Sequence, residues 1–213
     1  MTDGNKQQFY KNQANSIINR LKARKMEGYY CETVADAKAL VLKLLGNEPK
    51  TVGYGGSMTL DLNGFKPCIA EAGHHLIVRE TYKAEGNIKE LNAKMINADA
   101  FMMSTNAITL DGELVNIDGR GDRVAYLIYG PEQVFVIAGM NKVVKDVETG
   151  IERVRNFASP PNTIRLGIDT PCAKIGQCAH CLEKSVCCEI VVTRCSMMPG
   201  RIKVILVGEE LGY

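Results

Sequence analysis

Five cysteines crowded into 17 residues are the part of this 213-residue chain most obviously equipped for chemistry. Residues 170–195 read TPCAKIGQCAHCLEKSVCCEIVVTRC and hold Cys172, Cys178, Cys181, Cys187 and Cys188, with Cys178 and Cys181 forming one C-x-x-C pair. Thiolates two residues apart can grip one soft metal ion from a single tight turn, and Cys172 with Cys187, or alternatively Cys188, would complete four ligands. Zinc in a closed site and an iron–sulfur cluster both suit that ligand set. A regulatory dithiol needs no metal; a metal-binding or redox-sensing segment of this kind would also suit a non-catalytic regulatory or assembly subunit, and small, reduced, half-buried thiols need no special role at all. The spacing departs from the usual ferredoxin runs. His180, inside the pair, reads as a bystander.

A second group of candidates sits where apolar runs break into polar residues. Ala100-Phe101-Met102-Met103 collapses into Ser104-Thr105-Asn106, as expected where a buried strand opens onto a crevice. Thr51-Val52-Gly53-Tyr54 likewise breaks into Gly55-Gly56-Ser57, where bare backbone can approach a ligand and Ser57 can cap a helix. Without a ligand, the same glycines would simply serve a turn. Residues 134–138 are a third strand, ending in Gly139-Met140-Asn141-Lys142. Lys142 could meet an anion, although a solvated lysine is the ordinary case.

Asp111-Gly112 is a hairpin turn between Ile108-Thr109 and residues 114–117. Next, Asp118-Gly119-Arg120-Gly121-Asp122 precedes a helix over Val124, Leu127 and Ile128, whose free N–H groups would suit an anionic group. The candidate ligand set is therefore Gly55, Gly56, Ser57, Thr105, Asn106, Asn116, Asp118, Arg120, Asn141 and Lys142. Gly55, Gly56 and Ser57 would supply donors, Thr105 and Asn106 would orient a small acid or phosphorylated compound, and Arg120 or Lys142 would meet its charge.

The elements that must position these residues alternate. Ala14, Ile17, Ile18 and Leu21 recur at helical spacing within residues 7–26. Val34, Ala37, Val41, Leu44 and Leu45 do so in a second helix, which Thr33 and Asp36 start as a capping box. Residues 76–78 read as a short strand, and Ile88, Leu91, Met95 and Ile96 as a helix. A helix over residues 146–157 should end at Ser159-Pro160-Pro161-Asn162, because proline cannot continue its ladder. Residues 190–193 are a strand, and residues 201–207 close the sheet. Strands alternating with helices imply a mostly parallel sheet covered on both faces, with ligands collecting beyond the strands' carboxyl ends. The adjacent His74 and His75 point to opposite faces of an extended segment, so they do not share a metal.

The totals exclude other classes. A net charge of +2, from 26 basic and 24 acidic residues, creates no field that argues for nucleic acid. The first 13 residues lack the pattern of a secretory signal, and no apolar run approaches the ~18 residues of a membrane span. With eight cysteines and no export signal, thiols or metal ligands are expected over disulfides, and a cytoplasmic location with them.

Four stretches carry a family resemblance: GYGGSMT, STNAITLDGELVNIDGRGDRVA, VFVIAGMNK and residues 146–162 resemble the LUD domain, the family of the lactate-utilization protein C. The resemblance covers nearly the whole chain. It implies the three-layer α/β/α sandwich of glucosamine-phosphate deaminases, ribose-phosphate isomerases and coenzyme A transferases, in a bacterial or archaeal cytoplasmic protein. It further implies a role in oxidising lactate or a related hydroxy acid beside iron–sulfur oxidoreductase partners, and a homodimer. On this reading residues 1–48 are N-terminal helices packed on a core formed by 49–213, with the cysteine-rich segment at 170–195.

Departures from the superfamily are informative. Asn106 stands where similar isomerases carry an aspartate, and an amide exchanges no protons at neutral pH. Ile117 follows Asn116 where they carry a lysine. Glu113 is the acid nearest the place of the transferases' nucleophilic glutamate, a weak catalytic candidate inside a hairpin. None of these residues carries electrons, so oxidation would need a cofactor or partner to receive them.

Overall fold

Period-two alternation in the buried strands builds the layers. In a computed structural model describing residues 4–213, Phe101 and Met103, Val134, Val136 and Ala138, and Val204 and Leu206 enter one apolar cluster. Their neighbours Ala100 and Met102, Phe135 and Ile137, and Ile205 and Val207 enter another on the opposite face. A sheet apolar on both faces must be covered on both.

The covering elements follow in chain order. α1 (Gly4–Ala23) buries Tyr10, Ala14, Ile17 and Leu21, and residues 1–3 of the N-terminal segment lie outside the described residues. β1 (Glu27–Cys31) comes next, and then α2 (Val34–Leu45). The Thr33 hydroxyl accepts from Asp36 N–H and the Asp36 carboxylate accepts from Thr33 N–H, completing the expected capping box. β2 (Thr51–Tyr54) leads into α3 (Met58–Leu62), capped by Ser57, and α4 (Phe65–Glu71). After β3 (His75–Leu76) come α5 (Arg79–Ala84) and α6 (Ile88–Ile96).

β4 (Ala100–Met103) enters the hairpin β5 (Ala107–Thr109) and β6 (Leu114–Asp118), followed by α7 (Asp122–Ile128) and β7 (Gln133–Gly139). A 3₁₀ turn at Met140–Lys142 joins β8 (Val143–Val144) to α8 (Val147–Arg153). The last elements are α9 (Ser159–Arg165), α10 (Pro171–Ile175), β9 (Glu189–Thr193) and β10 (Ile202–Val207).

Six strands form one sheet in the order β1-β10-β7-β4-β2-β3, and every pairing in it is parallel. α1, α6 and α7 contribute to one apolar face, and α2, α3 and α4 to the other. This is the α/β/α sandwich. β8-β5-β6-β9 form a second, smaller sheet, largely antiparallel, so the hairpin after β4 leaves the main layer.

Three features differ from expectation. β1, within the segment expected to be helical, is a strand of the main sheet. Its sequence, EGYYC, has no apolar alternation, and its conformation is fixed by pairing with β10 and by α1, which packs so closely that a Cβ on Gly28 would lie 2.9 Å from Leu21 Cδ1. β10 is interior, between β1 and β7, and does not close the sheet. The Pro160-Pro161 pair does not end the helical run either. Proline at 160 and 161 removes the donors that would serve the carbonyls of Asn156 and Phe157. The chain widens into a π-turn over Val154–Ala158 and continues as α9, with Pro160 in the first turn, where its missing N–H costs nothing.

Candidate functional site

The carboxyl ends of β2, β4 and β7 open onto a cleft of about 560 Å³, closed on its other side by the β6–α7 turn and by α9. Gly56, Ser57, Thr105, Asn106, Asp118, Arg120 and Lys142 line it, whereas Gly55, Asn116, Asn141 and Glu113 do not.

Lys142 is the residue on which the three strand ends meet. It is 4% exposed, contrary to the expectation of a solvated side chain. The 3₁₀ turn after β7 aims it inward, and its Nζ donates to Thr59 Oγ1 and to Ser104 Oγ, each at 2.9 Å. No carboxylate answers its charge among the described residues. Burial, and then the neighbouring charges of Arg153 and Arg123, push its pKa down to about 7. Near neutral pH the side chain is therefore poised between amine and ammonium.

Arg123 has the opposite surroundings. Its guanidinium donates to Asp118 Oδ1 from Nε (3.0 Å) and Nη2 (2.6 Å), to Ser104 O and Asn116 Oδ1 from Nη1, and to Asn106 Oδ1 from Nη2 at 2.6 Å. Asn106 and Asn116 thus act mainly on the protein itself: their side-chain carbonyls also accept Ile117 N–H and Asn106 N–H. The Asn116 Nδ2 amine is buried without a partner among the described residues. The α7 start, expected to attract an anionic ligand, is served by Asp118, whose Oδ2 accepts the N–H groups of Arg123 and Val124. Arg123 escaped the sequence reading. A carboxylate five residues before an arginine in the first turn of a helix is the signal that could have flagged it.

The glycines divide in the same way. A Cβ on Gly55 would lie 2.8 Å from Arg123 Cγ, so its bareness makes room for Arg123. A Cβ on Gly56 would lie 3.6 Å from its nearest contact, Arg79 Nη1, leaving Gly56 open to the cleft. Thr105 lines the cleft, but its hydroxyl donates to Ala107 O and Val115 O. Asn141 accepts Leu211 N–H. Arg120 is exposed and 3.6 Å from Asp122. Glu113 pairs with Arg24 at 3.5 Å, away from the cleft, which removes the geometric basis for a nucleophile there.

Arg153, also absent from the sequence reading, braces the site by donating to Asn106 O and Asn141 O, and burial lowers its pKa. The remaining charge is lopsided. Lys66, Arg79, Lys83, Arg120, Arg123, Lys142 and Arg165 line the cleft against Asp61, Glu80, Asp118 and Asp122. Ion pairs occupy Asp61, Asp118 and Asp122, leaving Lys83, Lys142 and Arg165 without an ion pair among the described residues.

A second chamber, of about 260 Å³, gathers Cys172, Cys178, Cys181 and Cys187 with His180 on its wall, while Cys188 is exposed outside it. Among the described residues, no three His, Cys, Asp or Glu side chains are grouped to hold a single metal ion. His74 Nδ1 accepts Lys50 N–H, a structural contact. No helix among the described residues is long and apolar enough to cross a membrane.

Comparison with known proteins places this architecture. The crystal structure of a DUF162 family protein from Deinococcus radiodurans superposes with a TM-score of 0.52 at 16% identity, over 95% of this chain and 98% of that one, a likeness of fold. That of eIF2B beta from Chaetomium thermophilum reaches a TM-score of 0.29 at 13% identity, over 66% of this chain and 46% of that one, too little to bear on the site. No curated protein matches. The LUD domain model matches residues 14–207, from within α1 to the end of β10, and the chain therefore belongs to the LUD domain family.

Proposed function

We propose that the cleft binds a small anionic metabolite, a hydroxy acid, a keto acid or a phosphorylated compound, as part of lactate-type oxidation. The observation that carries this reading is Lys142: a buried cation site at the junction of three strand ends, satisfied by two hydroxyls and lacking a countercharge. A bound carboxylate or phosphate would supply that charge, and Arg165 extends the positive wall. Ser57 and Gly56 offer polar contacts on the β2 side, with Arg123 and Asn106 as a rigid floor opposite. In an oxidation the electrons would leave through a cofactor or a partner, since these side chains do not carry them.

Calorimetry with lactate, pyruvate and inorganic phosphate tests the proposal. Because an anion beside Lys142 raises its pKa, binding near pH 8 should take up a proton, seen as a dependence of the heat on buffer ionisation enthalpy. Lys142→Met should abolish both the uptake and most of the affinity. Absence of binding by all three probes, or binding that Lys142→Met leaves intact, would overturn it.

A further inference from the structure

We propose that Cys172, Cys178, Cys181 and Cys187 ligate a [4Fe–4S] cluster in the chamber beside the cleft. The segment that holds them has little regular structure of its own beyond the five-residue α10. Even so, it turns four of the chain's eight cysteines onto one cavity, with five, two and five residues between successive members. Cys31, Cys68, Cys188 and Cys195 are not among its lining residues. Thr170 caps α10 and places Cys172 in its first turn. Asn156 Oδ1, from the π-turn, accepts Cys178 N–H, and His180 takes a left-handed conformation (φ 48°) between the C-x-x-C thiols. Cys187 is delivered by the strand entry where Cys188 N–H meets Asp118 O, and it lies within electrostatic reach of the other three sulfurs.

The room in the chamber favours a cluster over a single ion. Four sulfurs each about 2.3 Å from one zinc stand only about 3.8 Å from one another. Here the four thiols line one chamber of about 260 Å³, room for a group of several atoms. A cubane takes one thiolate per iron and spreads them around a multi-atom core. The polar shell suits it as well. His180 N–H points to Cys178 Sγ at 3.4 Å, Ser159 Oγ lies 3.4 Å from Cys187 Sγ, and Thr170 Oγ1 lies 3.2 Å from Cys172 Sγ. Donors of this kind stabilise sulfur-borne negative charge. The wall carries Arg155 and no carboxylate, which fits a group that is anionic once four thiolates are counted. Ser159 and Val186 line both this chamber and the cleft, so the two cavities adjoin. The assignment does not depend on the cleft's ligand.

Anaerobic reconstitution of the full chain with ferrous iron and sulfide tests it. We expect about four irons and four acid-labile sulfides per chain, with broad visible absorbance that dithionite bleaches. Cys178→Ser and Cys181→Ser should each lose most of the iron, whereas Cys68→Ser and Cys195→Ser should keep all of it. A chain that stays colourless, retains zinc in preference, or binds about two irons and two sulfides overturns the proposal. So does equal loading of all four variants. The stoichiometry of the unsubstituted chain decides the matter even where a variant fails to fold.

Discussion

The two walls of the cleft use buried cations in opposite ways. On the β6–α7 side Arg123 is saturated: a carboxylate, two side-chain amides and backbone carbonyls take up its donors. On the β2–β4–β7 side Lys142 has two hydroxyls and no anion among the described residues. A saturated buried charge holds a fold together, because removing one partner strands the others. An unsaturated one costs stability until a ligand arrives, which is why such groups mark functional sites.

The comparison can be broken, starting with its largest expected effect. Arg123→Met should cost about 3–5 kcal/mol in chemical denaturation, since it strips the largely buried Asp118 carboxylate of its countercharge and takes one donor from each of two side-chain amides. A loss below about 1 kcal/mol would mean that Arg123 is no better anchored than a surface pair. Lys142→Met should weaken binding of the anionic probe by roughly 1.5–3 kcal/mol, the worth of a hydrogen bond to a charged group, while leaving the unliganded fold intact. Gly55→Ala should cost about 1–3 kcal/mol by overpacking against Arg123 Cγ, with Gly56→Ala nearly neutral in the same assay.

The pH dependence sharpens the contrast. The folded-state pKa of Lys142 is lowered from 10.5 to about 7, so between these values the unfolded chain binds more protons than the folded one. Stability should therefore rise with pH across that window, and its burial penalty is full only below about 7. Lys142→Met should flatten that slope, as measured by melting from pH 7 upward. The smallest effect belongs to Glu113→Gln, whose part-buried pairing with Arg24 is long, at 3.5 Å, and is worth about 1 kcal/mol. Binding in the cleft should not change.

Much of the scaffold was legible. The Thr33–Asp36 cap, the Ser57 cap and the apolar runs of β4 and β7 are local patterns with local physical causes, and they led to a mostly parallel sheet covered on both faces and to the strand ends that border the cleft. β1 was not legible, because EGYYC has no periodicity and pairs with a strand some 170 residues away in sequence. Nor were the prolines: the rule that they stop a helix holds for an α-ladder, and here a π-turn absorbs the missing donors. Within the site, residue types pointed to the right loops but to the wrong members of them. Arg120 reads like Arg123, and Gly55 like Gly56, until the direction of each side chain is known.

Sequence alone determined which segments are helix or strand where a stripe or an alternation repeats, where turns must fall, and that the cysteines lie close along the chain. These follow from interactions spanning a few residues. Only the tertiary structure decided that Lys142 is stripped of water, that Asp118 fills the helix start a ligand was expected to fill, and that four thiols face one chamber. Burial and charge compensation are properties of what surrounds a group from every direction, and most of those neighbours are distant in the chain.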